Sequence, residues 1–161
     1  MKIRLSASGA GGFLLPAASA RWKRALVLAA ALLSPACAAG PELVRLEAAG
    51  AAIEAEVARS PEALSRGLMH RRFLCEDCGM LFLYPAPGRW CMWMKNTALD
   101  LSIAFVSAEG RILAIERMAP ESETRHCAPS AALFGLEASP DWFSRRRVLP
   151  GSLLKGLPQP R

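Results

Sequence analysis

Cys75, Cys78, Cys91 and Cys127 are the side chains of this sequence best equipped to form covalent or coordinate bonds. Four cysteines in a small domain read as disulfides in an oxidising compartment, with three possible connectivities. The same residues allow a second chemistry. Cys75 and Cys78 stand at zinc spacing, and with Cys91, His126 and Cys127 as partners they could supply four ligands. Met69, Met92 and Met94 would extend that alternative towards soft ligation of Cu(I), against the ordinary use of methionine as core filling. A redox Cys-x-x-Cys pair fits less well, because it wants its first thiol at a helix N-terminus. Here Gly79 and the apolar run Met80 to Tyr84 follow instead, and Glu76 and Asp77 between the thiols disfavour a thiolate.

The densest polar cluster is Lys95-Asn96-Thr97 with Asp100, close to Trp93. A tryptophan beside a cation and an amide offers one stacking surface and several donors, which suits an anionic or ring-bearing ligand. Trp93, Lys95, Asn96, Thr97 and Asp100 are therefore the candidate ligand-binding residues. In extended structure Cys91, Trp93 and Lys95 share one face, while Met92 and Met94 share the other. If the methionine face enters the core, Trp93 and Lys95 point outward and a site exists. The reverse orientation buries Trp93 and leaves a capped turn, with Asn96 and Thr97 bonded locally and Lys95 paired to Asp100. Hydrolysis would need an activated nucleophile with a base nearby. Only Thr97 with Lys95 or Asp100 could be pressed into that role, so no catalytic residue is assigned and no cofactor is expected.

The elements that must hold these residues are short. Ala52 to Val57 alternates apolar and acidic residues as a half-buried strand, with Leu43 to Glu47 as its hairpin partner across a turn at Gly50. Ser60-Pro61-Glu62 supplies an N-cap, a proline at the first helical position and an acid near the positive dipole end, predicting a helix that ends near His70. Met80 to Tyr84 is a buried strand broken by Pro85-Ala86-Pro87-Gly88, and Trp90 to Met94 resumes extended structure. Leu101 to Phe105 and Arg111 to Ile115 form a hairpin across Glu109-Gly110. Residues 120–130 read as loop, Leu133 to Glu137 as a strand, and Ser152 to Leu154 as a last short one. Arg145 to Arg147, beside Trp142 and Phe143, fits either a surface for an anionic partner or a solvated helix end.

The chain has 161 residues, 52% of them hydrophobic and 21% charged, which excludes disorder as its main description. Its net charge of +6 is concentrated early: Lys2, Arg4, Arg21, Lys23 and Arg24 precede every acidic residue. From Gly40 onward 15 Lys and Arg stand against 14 Asp and Glu, so no nucleic-acid partner is indicated. Arg21-Trp22-Lys23-Arg24, the apolar run Ala25 to Leu33 and the small residues up to Ala39 have the order of a secretory signal peptide. The apolar run is too short to span a bilayer. Cleavage after Ala38 or Ala39 follows, and Cys37 leaves lipidation as a minority reading.

Several fragments then resemble one family. Gly67-Leu68-Met69-His70-Arg71, Gly79-Met80-Leu81-Phe82, Trp93-Met94-Lys95-Asn96-Thr97, and Leu99-Asp100 with Phe105 and Gly110 occur in the order of the domain-of-unknown-function-192 family, small and often exported prokaryotic domains. The resemblance runs from Val44 to Leu154. It implies a β-sandwich of jelly-roll type and carries no established activity. Two segments depart from the family pattern: Cys75-Glu76-Asp77-Cys78, and Ser144-Arg145-Arg146-Arg147 in place of a glycine-containing stretch.

The expected architecture is mostly β, an antiparallel β-sandwich of jelly-roll type or a small barrel, with one or two short helices. Residues 1–39 form a leader with a signal peptide, and residues 43–155 a single β domain. The expected function is a non-catalytic accessory module of the periplasm or cell envelope that binds a small molecule or an envelope protein. The alternative is a zinc- or copper-binding accessory protein, and a third reading is a hydrolase without a recognisable motif. Membrane contact is expected only through the leader or a lipid on Cys37.

Overall fold

A computed structural model describes residues 40–159. The expected leader over 1–39, with the signal-peptide reading and the anchor reading of Cys37, lies outside the described residues. β1 (Leu43–Ala48) and β2 (Ala51–Ala58) form an antiparallel hairpin. Its two turn residues, Ala49 and Gly50, both have positive φ (51° and 79°), the twist that lets a two-residue loop join two strands. α1 (Pro61–Arg66) starts as the sequence predicts, with the Ser60 hydroxyl accepting from the Ala63 N–H at 3.2 Å. It stops at Arg66 rather than near His70, because Gly67 leaves the helical region at φ 48° and ψ −132°.

The segment after α1 carries the chain to β3 (Cys78–Gly88), which lies parallel to β2. This crossover makes the sheet mixed rather than wholly antiparallel. β3 also continues through the prolines that the sequence suggested would end it. A register shift against β8 between Leu83 and Gly88 absorbs them, and Pro85, Ala86 and Pro87 face solvent. β4 (Cys91–Met92), β5 (Leu101–Val106), β6 (Ile112–Met118), β7 (His126–Cys127), β8 (Ala132–Ala138) and α2 (Trp142–Arg145) complete the elements. The main sheet has the order β1-β2-β3-β8-β5-β6, and β4 pairs with β7 in a second, two-stranded sheet. β7 lies inside the stretch read as loop.

The fold is therefore mostly β, with two short helices and no closed barrel. Each face of the main sheet is covered. On one side Leu46, Ile53, Leu81, Leu136, Trp142 and Phe143 pack together; on the other Met80, Phe82, Met94, Ile103, Phe105 and Met118 do. Each such side chain contributes about 1.5–3 kcal/mol on burial. After α2, residues 152–155 run along both edges of the sheet at one end. Leu154 N–H donates to the Gly110 carbonyl and Ile112 N–H to that of Ser152, beside β6. Lys155 exchanges N–H and carbonyl with Glu47 of β1. No helix among the described residues is long and apolar enough to cross a membrane.

Candidate functional site

The segment beginning at Cys91, strand only over β4, places its methionines inward. Met94 is 1% exposed in the core and Met92 packs against it, whereas Trp93 is 42% exposed and Lys95 faces solvent beside it. Period-two alternation thus presents Trp93 and Lys95 outward, the orientation on which a site depended. The Lys95 ammonium lies 5.5 Å from the Trp93 ring centroid, within cation–π range. The segment is fastened on three sides. Met94 N–H donates to the Ser122 carbonyl at 2.8 Å, Glu121 N–H to that of Thr97 at 3.0 Å, and His70 N–H to that of Asn96 at 2.9 Å. Asn96 takes a positive φ of 55°, which asparagine tolerates better than most residues, and Thr97 N–H closes the turn onto Met94.

Not all five candidate residues meet. Lys95 pairs with Glu123 at 3.6 Å, and Asp100 pairs with Arg117 at 2.6 Å on another part of the surface. The expected pairing of Lys95 with Asp100 is thereby corrected: each has a nearer partner from a loop or strand that is distant in sequence. Thr97 is buried and donates its hydroxyl to the Lys95 carbonyl at 3.3 Å, so it holds the turn.

Beneath Trp93 lies an open cavity of about 220 Å³, with Leu68, Phe82, Met92, Thr97 and Glu137 among its walls. Glu137 was not singled out from the sequence. It sits in β8, flanked across the sheet by Met80 of β3 and Ile103 of β5, and is only 3% exposed. Nothing offsets its loss of water: burial alone pushes its carboxyl up to about 8. Gly67, just past α1, leaves the space above it open. A Cβ there would stand 4.0 Å from Glu137 Oε2 and 3.0 Å from the Phe82 ring. The signal for Glu137 was available in Ala132-Leu133-Phe134-Gly135-Leu136-Glu137-Ala138, where one acid interrupts an otherwise apolar strand. Such a strand lies centrally, with both faces covered.

The cysteines are joined as Cys75–Cys78 and Cys91–Cys127. The second bond ties β4 to β7 and so anchors the start of the Trp93 segment. This geometry does not hold the alternative ligand set of Cys75, Cys78, Cys91, His126 and Cys127, because the sulfurs are bonded to one another. His126 instead meets Glu116 at 2.8 Å through Nδ1. Among the described residues no three His, Cys, Asp or Glu side chains converge as for a metal ion. The arginine run is partly engaged: Arg146 reaches Asp77 at 2.8 Å and Arg145 reaches Glu76 at 3.5 Å, which clamps the acidic Cys75–Cys78 loop. Two disulfides are the chemistry of an oxidising, non-cytoplasmic compartment.

Fold and cavity together define a small mixed-sheet β domain with a ligand-sized recess under a tryptophan-bearing turn. The chain belongs to the DUF192 family, described as Uncharacterized ACR, whose model matches residues 44–156. Among solved structures it is similar to a protein of Sinorhizobium meliloti 1021 that carries the provisional name of transcription regulator. The two are 31% identical with a TM-score of 0.70, over 73% of this chain and 96% of that one. It is also similar to a protein of unknown function from Novosphingobium aromaticivorans DSM 12444, at 29% identity and a TM-score of 0.68, over 73% of this chain and 94% of that one. No curated protein matches by sequence.

Proposed function

We propose that the protein is an exported, non-catalytic binding domain of the cell envelope that holds a small molecule in the cavity beneath Trp93. One observation carries this reading. Glu137, only 3% exposed and with no hydrogen bond or ion pair among the described residues, borders a recess that opens to solvent. Burial disfavours the charged form of this carboxyl, and the recess gives a ligand from solvent access to it. The recess sets apolar Leu68, Phe82, Met92 and Trp93 beside polar Ser65, Arg66, Thr97 and Glu137, a mixture that can both bury and orient a small molecule. The order of basic, apolar and small residues before Gly40, together with two disulfides, supports export. The near-balance of charge from Gly40 onward speaks against a nucleic-acid partner.

The test is a ligand-observed NMR fragment screen on the oxidised protein and on Ser65→Trp. Ser65 is exposed on α1 at the lip of the cavity, so an indole there covers the mouth without entering the core. Fragments that bind the wild type and are lost in Ser65→Trp support the reading. A set of binders unchanged by the substitution, or no binders at all, refutes it.

A further inference from the structure

Resting on that reading of the cavity, we infer that its occupant is a small protonated amine on a ring or short apolar stem, with the ammonium group set against the Glu137 carboxylate. Glu137 makes no hydrogen bond or ion pair among the described residues, and the buried Tyr84 hydroxyl nearby, itself without a partner, does not reach it. Thr97, the other polar side chain deep in the recess, spends its hydroxyl on the Lys95 carbonyl. Gly67 contributes no side chain, and Met80 and Ile103 flank Glu137 with apolar atoms. Arg66 also lines the cavity, but it is exposed in the last turn of α1 and makes no ion pair with Glu137 among the described residues. The missing partner is therefore a donor brought by the ligand. An ammonium group has three donors and a charge, which suits two carboxylate oxygens better than a hydroxyl does.

The rest of the ligand is set by the walls. Leu68, Phe82, Met92 and Trp93 surround a volume of about 220 Å³. An apolar cavity of roughly 150 Å³ accepts benzene, so this one is of a size for a single ring with an aminomethyl arm.

Protons follow from this pairing. The titratable or charged groups that face Glu137 are Arg66 from α1 and Tyr84 from β3, whose own hydroxyl is pushed up by burial; β5 presents only Leu101, Ile103 and Phe105. Glu137 titrates near 8, so an amine that binds below that pH expels one proton from the carboxyl.

Benzylamine, benzyl alcohol and benzoate, three probes of one shape and different charge, are titrated by calorimetry into the oxidised full chain, into Glu137→Gln and into Ser65→Trp. Benzylamine is expected to bind about tenfold tighter than benzyl alcohol, and Glu137→Gln to abolish that advantage. In the wild type its affinity should rise about tenfold per pH unit from pH 6 towards 8, a readout that needs no variant. Benzyl alcohol or benzoate binding as well as benzylamine, or a flat pH profile, overturns the amine assignment. If those probes are still lost in Ser65→Trp, the cavity reading survives that result. Binding by none of the three overturns the assignment and counts against the cavity as well.

Discussion

Replacing Glu137 by Gln should flatten the pH dependence of stability. The carboxyl has an ordinary value of 4.5 and is raised by burial to about 8 in the folded chain. Between these values the folded state binds a proton that the unfolded state has released, so stability falls as pH rises through that window. Each unit of difference corresponds to about 1.4 kcal/mol, which makes the full loss about 5 kcal/mol once both states are ionised. That figure is an upper value, since the recess opens to solvent and water can enter to meet the charge. Against a domain stability of about 5–15 kcal/mol it is large. Glutamine keeps the shape and cannot ionise. Urea unfolding followed by far-ultraviolet circular dichroism at pH 5, 6, 7, 8 and 9, with the disulfides intact, gives the two profiles. The gap between Glu137→Gln and wild type should widen in favour of the variant by about 1 kcal/mol per unit up to pH 8, then level off. A constant gap across the series would show that Glu137 is ionised and satisfied in the folded protein, and the case for its missing partner would fall.

Removing Cys91 and Cys127 together, as alanines, should cost about 4 kcal/mol, because the bond closes a loop with a sequence separation of 36. Removing Cys75 and Cys78, separated by 3, should cost about 2; paired urea titrations rank them, and a reversed order contradicts the loop-closure reasoning. Intact mass after alkylation without reduction should show no modified cysteine from Cys75 onward, whereas four alkylated thiols would reject both bonds. Lys95→Ala should leave benzylamine binding no weaker and change stability by less than about 1 kcal/mol, because Lys95 does not line the cavity and its ion pair with Glu123 is exposed at both ends. A larger stability loss in denaturant titration would make Lys95 structural. N-terminal sequencing of protein from the envelope fraction should begin at Ala39 or Gly40, and an intact Met1 with the protein in the cytoplasm would refute export.

Local patterns proved the most legible. The alternation grouped Met92 with Met94 and Trp93 with Lys95 on opposite faces, while which face meets the core was left open and is answered by the burial of Met94. Ser60-Pro61-Glu62 marked the start of α1 for reasons confined to one helical turn. What escaped depends on partners far along the chain. The parallel pairing of β2 with β3 leaves no local signature, since either strand would look the same in a hairpin. Disulfide connectivity hangs on β4 meeting β7 across residues read as loop. Lys95 and Asp100 looked like natural partners by proximity in sequence, but Glu123 and Arg117 reach them first. Glu137 was passed over because an acid at the end of a strand is usually at the surface, and only the placement of β8 between β3 and β5 puts it inside.

The hydrogen bonds of residues 152–155 have a consequence for timing. The segment that laces β1 to the turn before β6 is separated from β1 by almost the whole domain, so both edges of the sheet stay open until nearly all of the chain is available. A nascent chain cannot finish this fold early. Its first hairpin must wait, with an unfastened outer strand, for residues 152–155 to arrive. Once they do, each outer strand has part of its backbone occupied at the same end, which leaves less of it free to recruit a strand from another molecule.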